Sequence, residues 1–261
     1  MSLKRVHRLD PWVAERIAAG EVIERPSSVV KELVENAIDA GATEIEVRLE
    51  DGGKALIQVT DNGSGIHHED LALAIQRHAT SKISSLDDLE RLRTLGFRGE
   101  ALPSISAASE LSIISRAQSE QQAYELHATS GTTKAVTQGH FLHSPHGTVI
   151  SARGLFSMIP ARLKFLKSAS AEVTQVREWI ERLALSHPAI SFTLHSEDRT
   201  LVDLRATTEK DRVLQVLGGG EDYPVITKEQ KSVNEDLGMS LRVHWLQGLS
   251  LPQARRLVQV V

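Results

Sequence analysis

Between Pro26 and Gly41 the apolar residues Val29, Val30, Leu33, Val34, Ala37 and Ile38 recur in pairs four apart. Directly after them come two runs that alternate every second residue. A period near 3.6 predicts a helix with one buried stripe, and a period of 2 predicts strands with one buried face. Pro26 can open the helix, where a missing N–H is tolerated, and Gly41 ends it. The strand runs are 44–50, with Ile45, Val47 and Leu49 inward, and 55–60, joined by Asp51-Gly52-Gly53-Lys54, a hairpin signal. An amphipathic helix delivered onto a hairpin with one apolar face restricts the chain to layered helix-on-sheet architectures.

The remaining text extends that layer. Segment 11–22 is Ala-rich and reads as a helix, with Asp10 as cap and Pro11 in its first turn. Helical patterns follow at 68–78 and 85–95, separated by Ala79-Thr80-Ser81-Lys82. A glycine-flanked stretch, Gly96 to Ala101, leads into another short helix. Strands are predicted at 111–116, 122–129, 133–138 and 147–153, a long amphipathic helix at 170–186, and a hairpin at 190–204. The expected fold class is α+β: an α/β sandwich with helices on one face of a mixed, mostly antiparallel sheet. A short helix at 208–217, three glycines and strand-like runs at 223–227 and 241–247 read as the start of a second α/β domain. The expected division is a first domain over 1–205 and a truncated second one over 206–261.

Composition excludes several classes. A net charge of −4 argues against a bulk electrostatic nucleic-acid binder, so any DNA contact has to come from a local patch such as Arg153, Arg162, Lys164 and Lys167. The reading preferred for that string is a solvated face. With no Cys there are no disulfides and no thiolate metal sites, in keeping with a reducing cytoplasm. No apolar run suggests a signal peptide or a membrane span.

The chemistry concentrates on the first helix and the loops C-terminal to it. Glu32 and Asn36 lie four apart and share a face, placing a carboxylate that can take a proton beside an amide oxygen that can hold a hard cation. Alone, such a pair is usually surface. But Glu32, Glu35 and Asp39 crowd acid toward the helix C-terminus, where it opposes the macrodipole. Asp61-Asn62-Gly63-Ser64-Gly65 supplies a second carboxylate on a glycine-hinged turn that lets backbone approach a flat ligand, though such strings are often only turns. Gly96-Phe97-Arg98-Gly99-Glu100-Ala101-Leu102 frames a cation at a helix start, where free N–H groups favour phosphate. Thr80-Ser81-Lys82 adds two hydroxyls and an ammonium, a pattern equally suited to an ordinary helix cap. No Walker loop and no G-x-S-x-G elbow occur. His67-His68 and His140, His143 and His146 are the only histidine clusters, and the latter group is expected to be solvent-exposed in its loop.

In this order the segments resemble the ATPase superfamily that joins gyrases, large ATP-dependent heat-shock chaperones, histidine kinases and MutL proteins. Within it they resemble the MutL-type DNA mismatch-repair family. The residues that carry this run from Ile17 to Pro26, Glu32 to Ala42, Asp61 to Ile66, Arg77-His78-Ala79-Thr80-Ser81-Lys82-Ile83, Gly96 to Leu102, and Pro160-Ala161-Arg162. Gyrases and kinases share only the helix and the D-x-G-x-G turn; the Arg-His-Ala-Thr-Ser-Lys and Gly-Phe-Arg-Gly-Glu-Ala-Leu strings are MutL-like.

The resemblance implies an ATPase using ATP and Mg²⁺, with Glu32 as general base and Asn36 as metal ligand. It implies that Asp61 accepts the adenine amino group, with Gly63, Gly65 and Thr148 near the ring. It also implies a phosphate lid formed by Thr80, Ser81, Lys82 and Gly96, Phe97, Arg98, Gly99, Glu100, Ala101 and Leu102, which nucleotide orders. At the level of the whole protein it implies an ATP-gated matchmaker that dimerises through its N-terminal region. The partners would be a mismatch-recognition protein, a downstream nuclease or helicase and, weakly, DNA, in the bacterial cytoplasm at the nucleoid. Two departures qualify this. Leu155-Phe156-Ser157-Met158-Ile159-Pro160-Ala161-Arg162 stands where the family reads Leu-Phe-Tyr-Asn-Thr-Pro-Ala-Arg. The family's γ-phosphate lysine late in the second domain and its C-terminal dimerisation domain lie outside these 261 residues, so poor hydrolysis by this piece is expected. A gyrase-like subunit and a nucleotide-responsive interaction module without useful turnover are the rival readings.

Overall fold

A computed structural model of the chain describes residues 22–83, 99–129 and 144–217, together with 7, 8, 10, 88, 94–96, 132, 133, 136–140 and the backbone of 225–231 and 240–246. The predicted first helix is α1 (Pro26–Asp39), whose stripe Val29, Val30, Leu33, Val34 and Ala37 is buried. The predicted hairpin is β1 (Glu44–Glu50) and β2 (Leu56–Asp61), joined through a 3-10 turn at Asp51–Gly53. Strand β2 ends one residue later than its alternation suggested. Asp61 is therefore not on a turn; it pairs with Ile45 of β1.

The following elements are α2 (His68–Ala74), α3 (Ala101–Ala108), β3 (Glu110–Arg116), β4 (Ala123–Thr129), β5 (Thr132–Thr133), β6 (Thr137–Gly139), β7 (Gly147–Arg153), α4 (Pro160–Leu163), α5 (Ala169–Ser186), β8 (Ser191–Ser196) and β9 (Arg199–Leu204). The strands form one nine-stranded sheet in the order β5-β4-β3-β7-β2-β1-β8-β9, with β6 pairing β4. Only β1 and β8 run parallel among the described pairs, because α5 carries the chain back across the sheet between β7 and β8. The expected mixed, mostly antiparallel sheet with helices on one face is what forms.

Side-chain rows across the sheet show why. Val202, Leu194, Val47, Val59, Ile150, Ile113 and Leu126 lie side by side on seven successive strands, all buried beneath the helices. Two residues along, the next row on the same face reads Leu204, Phe192, Ile45, Asp61, Thr148, Ser115. The core face thus turns polar at one end of its central strands. The opposite face presents Arg48, Gln58, Ser151 and Glu125, with Gln58 Nε2 donating to Ser151 Oγ at 3.0 Å.

Two sequence expectations change, and the late strands form with shifted bounds. The helix expected over 68–78 stops at Ala74, and His78 adopts a left-handed φ of 62° as the chain turns back toward α1. The strand expected over 133–138 is two short pieces that pair with opposite ends of β4, an interrupted sheet edge. The late strand-like runs are β10 (Val225–Lys231) and β11 (Ser240–Leu246), an antiparallel pair outside the main sheet. The helices expected over 11–22 and 85–95 lie almost wholly outside the described residues.

Helix α6 (Glu209–Leu217) is fastened by a buried guanidinium. Arg212 Nη2 donates to the carbonyls of Pro188, Ile190 and Arg205 at 2.9, 2.6 and 3.0 Å, and its Cζ lies 5.9 Å from the centre of the Phe192 ring. Burial holds its pKa below the usual arginine value. Replacing Arg212 by Ala should cost about 2–5 kcal/mol, because it leaves three carbonyls short of a donor beside a cavity. Urea unfolding of the two chains checks this.

Candidate active site

The polar end of the inner row is organised around Asp61, which is only 8% exposed. Its Oδ1 accepts the Gly63 N–H at 2.8 Å, and the Thr148 N–H also bonds the carboxyl. Burial pushes this carboxyl up to about 6, against the pull of those two N–H groups and of nearby His146. A largely desolvated carboxylate with acceptor capacity to spare suits a neutral donor such as an exocyclic amine.

Its neighbours are locked by hydroxyls. Ser115 Oγ donates to the Gly147 carbonyl at 3.1 Å and accepts the Ile66 N–H at 2.8 Å. With the Ser115 proton so used, the 2.9 Å contact to Thr148 runs from the Thr148 hydroxyl. The loop after Asp61 is pinned at both sides: Asn62 Oδ1 accepts from the backbone of Thr43 and Glu44, Ser64 N donates to the Ala40 carbonyl, and Gln118 N donates to the Ser64 carbonyl. Two glycines are obligatory here. At Gly65 (φ 71°) a Cβ would sit 2.1 Å from the Arg116 carbonyl oxygen, and at Gly147 (φ 133°) 2.1 Å from that of Asp61.

The second half of the site is the far end of α1. Lys82 Nζ donates to Asn36 Oδ1 at 2.7 Å and to Asp39 Oδ2 at 2.6 Å. Asp39 also accepts the N–H groups of Leu95 and Gly96 at 3.0 and 3.2 Å. Asn36 and Asp39 thus present oxygens that already hold a cationic group. Glu35 is buried too, and burial pushes its carboxyl up; the Lys31 charge opposes this while Glu32 and Asp39 add repulsion. Glu32 keeps 28% of its side chain exposed, 3.6 Å from Lys31.

The two segments expected to bind phosphate meet over this helix. Thr80 Oγ1 accepts the Lys82 N–H at 3.2 Å, and Ser81 is exposed. Gly99 packs against the Ala79 carbonyl, and Glu100 Oε1 lies 2.9 Å from His78 Nδ1. Ala101 and Leu102 open α3, whose N-terminus has no side-chain cap. Phe97 and Arg98 lie outside the described residues.

Five residues have roles that the sequence motifs do not single out. Asp39 was counted only as acidic crowding. In the sequence Ser115 and Gly147 read only as strand and turn residues, although Leu111, Ile113 and Ser115 show a polar residue entering an inward register. His146, expected to be solvent-exposed, is half-buried, with Nδ1 2.6 Å from the Gly63 carbonyl. Arg162, read as part of a basic face, instead donates to the Ile23 carbonyl at 3.0 Å.

Comparison with known proteins decides the family. The model of the Histidine kinase-, DNA gyrase B-, and HSP90-like ATPase family matches residues 23–141. The DNA mismatch repair protein MutL of Shewanella pealeana is 48% identical over 213 residues, covering 82% of this chain and 34% of the relative. That of Streptococcus thermophilus is 41% identical over 254 residues, covering 97% of this chain and 38% of the relative. The solved Aquifex aeolicus MutL ATPase domain complexed with ADP superposes with a TM-score of 0.64 at 34% identity, covering 82% of this chain and 78% of that one.

The chain belongs to the MutL family.

It corresponds to the N-terminal ATPase region and spans about a third of the length of the curated MutL relatives it matches. Its departure from the usual MutL pattern before Pro160 has a structural answer. Phe156, fully buried, holds a left-handed φ of 63° and donates its N–H to the Ala108 carbonyl at 2.8 Å, while Gly154 and Leu155 donate to Ala55 and Lys54. Backbone bonds shape this turn, so Ser157, Met158 and Ile159 can replace polar residues without undoing it.

Proposed function

We propose that this chain binds ATP with the adenine amine on Asp61, the ring beside Gly63, Gly65 and Thr148, and the phosphates under the Thr80–Lys82 and Gly96–Leu102 segments. The single observation that carries the reading is Asp61 itself: a buried carboxylate at the point where the inner row turns from apolar to polar, with Gly147 packed so closely on its backbone that no side chain fits there. Two backbone donors occupy only part of its acceptor capacity.

Mg²⁺ fits the other end. Asn36 Oδ1 and Asp39 Oδ2 share the Lys82 ammonium, so the position accepts positive charge. Asn36 would hold the ion, which when bound neutralises phosphate charge. Lys82 is then free to turn to a phosphate oxygen. Glu32, on the same helical face as Asn36 and still reached by solvent, orients water and takes its proton. Catalysis on this reading is positioning plus electrostatics, with no covalent intermediate.

In the parent protein, ATP binding and N-terminal dimerisation would gate a matchmaker between a mismatch-recognition protein and a downstream nuclease or helicase, in the cytoplasm at the nucleoid. DNA contact would be weak and local. The family membership supports this assignment over a gyrase-like subunit. No helix among the described residues is long and apolar enough to cross a membrane. Division into an ATP-binding domain over 1–205 and a second domain from 206 is part of the same proposal.

Nucleotide titration with and without Mg²⁺ tests the reading. The parent chain should bind ATP more tightly than GTP, and Mg²⁺ should strengthen ATP binding. In Asn36→Ala the Mg²⁺ effect should disappear while the preference for adenine persists. Equal binding of ATP and GTP by the parent would remove Asp61 from its role.

A further inference from the structure

His67 and His68 were adjacent in the sequence but had no third ligand there. Folding supplies one. Glu120, in the turn between β3 and β4, brings Oε1 to 3.4 Å from His67 Nε2 and 2.5 Å from His68 Nδ1. One ligand atom from each residue falls within 4.8 Å of the others.

The carboxylate is held in place and incompletely satisfied. Glu120 is 11% exposed at its side chain, and the His68 backbone N–H also reaches Oε1, at 3.4 Å. Its other oxygen, Oε2, is buried with no hydrogen-bond partner. A buried carboxylate oxygen without a donor is costly unless a cation or proton serves it. Ring contacts hold the imidazoles beside it. The His68 ring stacks on Tyr124 with centroids 4.7 Å apart, and His67 lies 4.6 Å from His68. His67 also caps α2, its Nδ1 accepting the Glu69 N–H at 3.4 Å; as a ligand through Nε2 it gives up that long bond and turns an Nδ1–H toward solvent.

We propose that His67, His68 and Glu120 form a binding site for a divalent transition-metal ion of the Zn²⁺ class, separate from the Mg²⁺ that accompanies nucleotide. Zn²⁺ bonds of about 2.0–2.2 Å in a tetrahedron place ligand atoms about 3.3 Å apart, close to the His67–Glu120 separation. Modest rotation of the half-exposed His68 ring opens the shorter contact to match. Two imidazole nitrogens and one carboxylate select Zn²⁺ over Mg²⁺ or Ca²⁺, which want oxygen. With both histidines partly exposed, water completes the coordination.

The ion would staple two walls of the Asp61 pocket. His67 directly follows the 61–66 loop, and Glu120 belongs to the turn that donates Gln118 N–H to the Ser64 carbonyl. Arg116, whose carbonyl touches Gly65, also donates Nε to the Glu120 carbonyl at 3.2 Å. Metal binding would therefore tighten the loop that lines the nucleotide base without occupying its site. The cluster lies apart from the Asp61 carboxyl, so ion binding there does not depend on adenine being the ligand of Asp61.

The test is titration of chelator-stripped, nucleotide-free protein with Zn²⁺ in the presence of excess Mg²⁺, by calorimetry, with Co²⁺ absorption as a spectroscopic probe. The parent should take up one Zn²⁺ with a raised unfolding temperature and slowed amide exchange at Ile66, His68 and Gln118. His68→Ala and the isosteric Glu120→Gln should each weaken binding by at least about a hundredfold, beyond the loss typical of outer-shell changes. Asn36→Ala should bind Zn²⁺ like the parent. Unchanged affinity in Glu120→Gln and His68→Ala, loss of binding on replacing His140 or His146 instead, or no stoichiometric uptake by the parent would each overturn the proposal.

Discussion

Glu32→Ala should lower the ATP turnover rate by about a hundred- to ten-thousand-fold while leaving nucleotide affinity nearly unchanged. Glu32 shares its helical face with Asn36, yet its ion-pair partner among the described residues is Lys31 at 3.6 Å, in contrast to Asp39, whose oxygens hold Lys82 and two backbone N–H groups. Removing Glu32 therefore takes away a proton acceptor without dismantling the cation position or the lid anchor. Fold stability should change by no more than about 0.5 kcal/mol, as for other partly exposed substitutions. The measurement is a single-turnover rate beside an equilibrium titration, with enzyme in excess over nucleotide so that a slow baseline does not mask the effect. Parallel losses of binding and rate would show that Glu32 is a contact and not a base.

The second large effect belongs to Asp61→Asn, which should weaken ATP binding by roughly 1.5–3 kcal/mol, about ten- to a hundredfold. Three donors would converge on this side chain: the N–H groups of Gly63 and Thr148 and the adenine amine. A carboxylate accepts at both oxygens, whereas an amide replaces one acceptor with a donor, so one N–H is left facing another. The same residue sets a pH signature. With its carboxyl pushed up to about 6 in the fold, Asp61 binds a proton more tightly folded than unfolded. Its contribution to stability is therefore fully present below about pH 4 and is lost as pH rises through 6, by at most about 3 kcal/mol. Nucleotide affinity should move oppositely, falling as pH drops below about 6, because the protonated acid loses its charge. Urea melts from pH 4 to 7 should lose the Asp61 component in Asp61→Asn; an identical pH profile in both chains would mean that another group is responsible.

The local elements around the site were legible because short-range physics determines them. The paired spacing of Val29, Val30, Leu33 and Val34 permits only a helix with one buried stripe, and Ile45, Val47 and Leu49 permit only a strand with one buried face. Those patterns fixed neither partner nor neighbour. That β8 adds to β1 in parallel, placing Phe192 beside Ile45 in the row that runs on to Asp61, depends on α5 crossing the sheet, which periodicity does not encode.

The same division holds for the site. The Glu32–Asn36 spacing, the D-x-G-x-G loop and the MutL-like strings pointed to a nucleotide because each is contiguous. The burial that pushes Asp61 up, the Ser115 hydroxyl beneath Thr148, and the meeting of Lys82 with Asp39 depend on ladder and loop contacts between residues 33 or more positions apart. Desolvation is a property of what surrounds a group, and hydrogen-bond geometry of what approaches it. Neither exists until the chain has closed on itself. By itself the sequence determined the helix stripe, the hairpin and the family's residue types; only the tertiary structure decided which carboxylate would be buried and which ammonium would stand beside Asn36. It also decided that Glu120 would come to rest on a pair of histidines, the nearer of them 52 residues away.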